Sequence, residues 1–303
     1  MEEKNIESYF KNLHARILKE VEKLQGSKSV QDHWKNNLGS GLSCVWEKEK
    51  QLIEKGAVNF SAVGGKIPKL LKSHFSSKAK HFHATGISVI LHPKNPFQPI
   101  IHMNLRYLKE QEGKYWFGGG IDLSPYYIDE EEAIIFHQAL QNYCEILGPH
   151  TYNQFKDQAD EYFFLPHRQE TRGIGGIFFD HLSAEKEKIE FKVLLNFIQT
   201  LGESFMPLYS QLLTRNLNKP YGKQELHWQQ IRRGRYIEFN LIYDRGTQFG
   251  FQSKGRTESI LSSLPPTAKW LYNYIPPKGS PEYLTLEKLK KGIPWSSFSS
   301  PGS

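Results

Sequence analysis

Ile100-Ile101-His102-Met103-Asn104-Leu105-Arg106-Tyr107 alternates almost without a break. In an extended chain, successive side chains point to opposite faces. His102, Asn104 and Arg106 therefore share one side of a strand, and Ile101, Met103, Leu105 and Tyr107 share the other. The apolar side needs cover. The polar side either walls a pocket or meets water, since antiparallel sheets often keep one wet face. Upstream, residues 82–92 carry β-branched and apolar residues, and His92-Pro93-Lys94-Asn95-Pro96 reads as a turn. Strands over 82–92 and 99–108 thus form a hairpin. By the same period Ser88 and His92 share a face, so pairing would gather Ser88, His92, His102, Asn104 and Arg106 around one pocket.

Further out, residues 114–123 read as a third strand after a polar turn. Ile6, Phe10, Leu13, Ile17 and Val21 recur at helical spacing and predict an amphipathic helix over 5–25. Asp129, Glu130 and Glu131 suit the positive end of a helix over 129–147. Helices are also expected over 153–163 and 184–215, with a further candidate over 222–231. A glycine-rich strand is expected over 173–180. Residues 235–243 and 247–253 read as a second hairpin around Asp244-Arg245-Gly246, and the tail from 257 as short helices and Pro-rich loops. Residues 26–80 are mixed and polar, with no element assigned. The expected fold is α+β, a large antiparallel sheet flanked on both faces by helices, in one domain over 1–303.

The chain has 303 residues and a formal charge of +7. That balance favours an anionic partner. The lysines cluster in bland stretches, whereas several arginines lie among glycines and aromatics, which points to carboxylate-gripping guanidinium groups and away from a nucleic-acid stripe. Cys44 and Cys144 are far apart and form no CxxC pair, so both read as structural thiols of a reducing compartment. No eighteen-residue apolar run occurs, so no membrane insertion is expected. The N-terminal residues show neither a signal core nor a transit-peptide composition, and a cytoplasmic location is expected. Walker, GxSxG and HExxH motifs are absent.

Two glycine-rich segments carry candidate chemistry. In Trp116-Phe117-Gly118-Gly119-Gly120-Ile121-Asp122, three strand glycines leave room for something flat against the backbone, and Asp122 is an acceptor for NH groups. The plainer alternative is a bulged strand end with a capping Asp. In His167-Arg168-Gln169-Glu170-Thr171-Arg172-Gly173-Ile174-Gly175-Gly176, Arg168 and Arg172 can fork carboxylates, or they simply stand solvated at a strand entrance. His137 falls beside a helical apolar stripe, where a buried, hydrogen-bonded histidine is the commoner outcome. Arg235, Arg245 and Arg256 stand near glycines and read equally as surface residues.

Together Phe82–Tyr107, Trp116–Pro125, Tyr162–Leu182 and Gly234–Pro266 resemble the oxygen-dependent coproporphyrinogen III oxidase family, in order and with family-like spacing from about residue 30 to 295. The resemblance implies a flat antiparallel sheet with a deep cleft in a homodimer, with 234–270 as the dimerisation region. It implies oxidative decarboxylation of two propionates of coproporphyrinogen III to vinyl groups, giving protoporphyrinogen IX for haem synthesis. Dioxygen would be the co-substrate and no organic cofactor would be used. It maps Ser88, Asn104-Leu105-Arg106 and Lys254-Gly255-Arg256 to substrate contact. His102 maps to a proton donor, Asp122 to the carboxylate facing the pyrrole nitrogens, Arg106 to the catalytic set and Arg172 to a propionate clamp. His92, His102, His137 and His167 map to the ligands of an optional divalent ion such as manganese. Asp180-His181 and Lys254-Gly255-Arg256 depart from the family's usual pair of aspartates and its Gly-Gly-Arg. The rival readings are a metal-dependent oxygenase built on those histidines, a non-catalytic tetrapyrrole carrier, and a nucleic-acid-binding module.

Overall fold

The structure, a computed structural model, describes residues 3–47, 52–67, 72, 75–111, 113–252 and 255–298. Strands β1 (Val30–Asn36), β2 (Gly39–Glu47), β3 (Ile53–Lys66), β4 (His81–Pro93), β5 (Ile100–Glu110) and β6 (Tyr115–Ser124) run as an antiparallel meander. After helices α2 (Glu130–Cys144) and α3 (Thr151–Tyr162), the two-residue strands β7 (Phe164–Leu165) and β8 (Glu170–Thr171) pair with each other. Strand β9 (Gly176–Leu182) then closes the far edge against β6, giving sheet order β1-β2-β3-β4-β5-β6-β9.

The alternation of β5 sets the layers. Ile101, Met103, Leu105 and Tyr107 are buried in a core with Ile87, Val89 and Leu91 of β4 and Phe117, Ile121 and Leu123 of β6. That face is covered by α1 (Glu3–Gln25), α2 and the long helix α5 (Phe191–Arg215), which bring Phe10, Leu13, Phe136, Leu140, Phe197 and Phe205 to it. The helix predicted over 184–215 is broken into α4 (Ala184–Glu187) and α5. Lys188 caps α4 in the left-handed conformation, with φ 55°. The opposite face is roofed by α6 (Lys223–Glu238), a π-helical turn at Phe239–Tyr243, α7 (Arg245–Gln252) and α8 (Thr257–Leu261), with α9 (Pro281–Lys288) behind. Ala57, Ile90 and Ile100 pack there against Trp228, Ile231 and Tyr236.

Two expectations are corrected. Residues 26–80 hold three strands. Their cavity side carries Ser43, Asn59 and Ser61 and small glycines, so the polar–apolar contrast that marks β5 is faint, and the edge strand β1 is mostly exposed. The second hairpin, over 235–243 and 247–253, is helical. Tyr236, Phe239, Leu241 and Ile242 favour strands locally. Helical spacing, however, buries Trp228, Ile231, Arg232, Tyr236 and Phe239 against the sheet and α3, and tertiary packing overrides the local preference.

Neighbouring residues of β5 should respond oppositely to truncation. Leu105→Ala removes a fully buried side chain and should cost about 2–5 kcal/mol. Asn104→Ala removes an amide oxygen that has no partner and should cost less than about 1 kcal/mol. Denaturant unfolding of both variants checks this, and equal losses would contradict the assignment of faces.

Candidate functional site

The register turns the polar face of the sheet into transverse rows. Asp32, Ser43, Asn59, Ser88, Asn104, Gly120 and Phe178 are successive cross-strand partners over all seven strands. Beside them runs Trp34, Gly41, Ser61, Gly86, Arg106 and Gly118. The glycines of this second row let long side chains lie flat. A Cβ at Gly41 would sit 2.3 Å from the Trp34 ring, and one at Gly118 would sit 2.7 Å from Arg106 Nε. The space beside Gly118 is thus used by the chain's own Arg106, while Gly119 and Gly120 lie close to the backbone of the neighbouring strands. These rows floor a cavity of about 320 Å³ whose roof includes Asn240, Asp244, Thr247, Ser259 and Ser263, a size typical of small-molecule sites.

Ser88, His102, Asn104, Arg106, Arg172, Gly255 and Arg256 all line this one cavity, and the polar face does not simply meet solvent. Leu105 does not line it. Its side chain points into the opposite core with no exposure, because adjacent strand residues face opposite ways. Lys254 lies outside the described residues. Asp122 stands behind the wall, 3% exposed. Its Oδ1 accepts from His102 Nδ1 at 2.9 Å and its Oδ2 from Arg172 Nη2 at 2.5 Å. Burial pushes the Asp122 carboxyl up, but Arg172 and His102 outweigh it and hold the group below the usual carboxylate range. Because Asp122 accepts from Nδ1, His102 keeps Nε2 as the ring nitrogen available to a ligand.

Arg172 is buried as well. Besides Asp122 it donates through Nη1 to Asn240 Oδ1 at 2.8 Å. Its guanidinium carbon lies 4.4 Å from the ring centres of Phe163 and Tyr236 and 4.7 Å from that of Phe239. With both terminal nitrogens donating to the protein, Arg172 is the counter-ion of Asp122, and its Nε is without a partner. The more accessible guanidinium groups are Arg106, paired with Asp180 at 3.2 Å, and Arg256, paired with Asp32. Arg245 lies over the stacked rings of Tyr162 and Phe178 at the cavity edge. Arg168 does grip a carboxylate, but it is that of Glu238, which also accepts from His167, Arg235 and Trp270. Burial raises that carboxyl, and the hydrogen bonds from Arg168 and His167 with the charges of Arg235 and Arg168 more than offset it and hold it at about 2.

The four histidines do not form one ligand set in this chain. His137 lies in the core, donating from Nε2 to Ile174 O and accepting at Nδ1 from Tyr152. Burial, with Lys156 nearby, depresses it to about 3. His92 is fully buried and donates to Ser263 O. His167 belongs to the Glu238 cluster, and only His102 faces the cavity. Among the described residues no three His, Cys, Asp or Glu side chains are grouped to hold a metal ion. Trp34, Asn59, Asn240 and Phe178 were not legible as site residues, because no local pattern marks them and only the cross-strand register and the roof bring them in.

An arginine-bearing cavity, a buried Asp–Arg pair and a histidine oriented by that Asp have the chemistry to hold acidic groups and to exchange protons. The family model described as coproporphyrinogen III oxidase matches residues 5–295, and the chain belongs to that family. No helix among the described residues is long and apolar enough to cross a membrane.

The Asp122–Arg172 pair should be visible in the pH dependence of stability. Asp122→Asn leaves a buried guanidinium without its counter-ion and should cost about 3–5 kcal/mol at neutral pH. The folded pKa of Asp122 lies below its ordinary value, so its contribution is complete above about pH 4 and is lost as pH falls through the depressed value. The gap between wild type and variant should therefore narrow in acid. A gap independent of pH would show that the pair is not the source.

Proposed function

We propose that the chain catalyses the oxygen-dependent decarboxylation of two propionates of coproporphyrinogen III to vinyl groups, yielding protoporphyrinogen IX, as a cytoplasmic homodimer without an organic cofactor. The observation that carries this reading is the convergence of Arg106, Arg256, Asn104, Ser88 and His102 on one cavity of a chain in this family. Arg106 and Arg256 supply forks for propionates. The side-chain oxygens of Asn104 and Asn59 are shielded from solvent and without partners, which suits them to accept from pyrrole NH groups. An electron-rich pyrrole can give an electron to dioxygen directly. The reduced oxygen then takes the β-hydrogen of the propionate, its carboxylate leaves as carbon dioxide, and the two electrons released, with that hydrogen and one proton, convert dioxygen to hydrogen peroxide.

In this reading His102 is the residue that exchanges protons with the ligand. Asp122 fixes its tautomer and stabilises its charged form, the logic of an acid–base histidine backed by a buried carboxylate. Arg172 and Asn240 in turn hold Asp122. The role expected for Asp122, facing the pyrrole nitrogens, thus passes to positioning His102. The enzyme's share is placement and electrostatics in the cavity. The histidines proposed as metal ligands do not fit one metal, and no step is routed through one. Exposed apolar residues Leu241, Ile242, Trp270, Leu271, Tyr272 and Ile275 lie in and just beyond the segment that the resemblance assigns to dimerisation, which favours the homodimer.

An aerobic assay with coproporphyrinogen III, with and without chelator, should give protoporphyrin fluorescence after oxidation in both arms. His102→Ala should lower kcat by about 10²–10⁴-fold, and a variant with normal turnover would remove His102 from the chemistry. Bound porphyrinogen with no carbon dioxide release would instead identify a carrier. Sedimentation should return twice the chain mass of 35.2 kDa, and a monomer at assay concentration would exclude the dimer.

A further inference from the structure

Asp32 opens the transverse row that leads through Ser43, Asn59 and Ser88 to Asn104. It lies on the edge strand β1, and its carboxylate is hydrogen-bonded to Nη2 of Arg256, the N-cap residue of α8. Both side chains of this pair are 37% exposed. Helix α8 buries none of its own residues. It rests on the sheet through polar contacts, with Ser259 Oγ 2.6 Å from Ser43 Oγ and Asn59 Nδ2 within 3.4 Å of Ser259 O and 3.2 Å of Ser262 Oγ. An element held this way opens at little cost, and the Asp32–Arg256 pair is one of the few contacts that tie it down.

Two further donors flank the pair. Arg256 Nε and Trp34 Nε1 are both shut off from solvent without a partner. Trp34 follows Asp32 by two positions on the same face of β1, and Trp34 and Arg256 both line the cavity. The corner therefore holds a guanidinium with an idle Nε–H and an idle indole N–H against a single carboxylate that is still partly in water. Buried donors without acceptors are costly, and one more carboxylate entering from the cavity would satisfy them.

The geometry points to Asp32 as a resident stand-in for a ligand carboxylate. In the ligand-free chain it occupies Arg256 and tethers α8 to the sheet edge. A carboxylate of the ligand takes over Arg256 and the idle N–H groups and releases Asp32, so that binding at this corner is an exchange of one carboxylate for another. This inference deepens the proposed reading and rests on it for the identity of the ligand. A half-exposed pair is worth little, which keeps the exchange near balance and the grip of the cavity on acidic groups moderate. Asp32 is thus a positioning residue that acts through Arg256 and sets carboxylate affinity.

The test combines equilibrium binding of coproporphyrin III, the stable oxidised tetracarboxylate, with amide hydrogen exchange over residues 257–262 of the ligand-free protein. Asp32→Asn should tighten binding about two- to fivefold, lower KM in the assay, and speed exchange in α8. Arg256→Gln should weaken binding, and adding Asp32→Asn to it should change nothing further. Weaker or unchanged binding in Asp32→Asn overturns the inference. So does equal tightening in the Arg256→Gln background, which would be a general charge effect. A wild-type chain that binds no porphyrin would sink the functional reading. In that case unchanged α8 exchange in ligand-free Asp32→Asn sinks the tether independently.

Discussion

Two opposite charges taken out of water at Asp122 and Arg172 bind the site to the fold. Neither is tolerable alone in that environment, since an isolated buried charge costs several kcal/mol. Asp122 is carried by β6 and Arg172 by the segment entering β9. Arg172 also reaches Asn240 in the π-helical turn of the roof, whose Nδ2 lies 3.4 Å from Ser263 Oγ. Floor and roof of the cavity are therefore joined through one guanidinium. His102, bonded to Asp122 and facing the cavity, takes its orientation from the same pair.

That arrangement divides the arginines by task. Arg172, enclosed by three aromatic rings, serves the protein's own carboxylate. Arg106 and Arg256 are partly exposed and held by Asp180 and Asp32 in pairs that solvent weakens. Burial raises the Asp180 carboxyl, and Arg106 and His181 more than offset this and hold it below the ordinary range, so it remains a charged partner for Arg106 near neutral pH. His181, at the position where the family usually has a second aspartate, stacks on Trp116 at 5.0 Å and leaves Asp180 as the carboxylate facing Arg106.

Much of the sheet was legible because its central strands obey one strong rule. In β5 each polar residue is followed by a large apolar one, so the pleat alone separates Leu105 and Met103 in the core from Asn104 and His102 in the cavity. The same rule failed in β1–β3, where the cavity side is made of serine, asparagine and glycine and the contrast is weak. It also failed over 235–253, where residues with strand preference are wound into helix because only helical spacing brings Tyr236 and Phe239 onto the sheet and α3 together.

The sequence by itself determined the α+β class, the hairpin of β4 and β5, the two faces of that hairpin, and the family. These follow from local periodicity and from long contiguous segments. It also brought Ser88, His102, Asn104, Arg106 and Arg256 forward as candidates. Only the tertiary structure decided what surrounds each. Burial and partner choice separate Arg172 from Arg106, set Asp122 behind His102, and send His92, His137 and His167 to three different surroundings. Such properties depend on which distant residues share a space, and register and roof packing, which no local pattern encodes, bring those residues together.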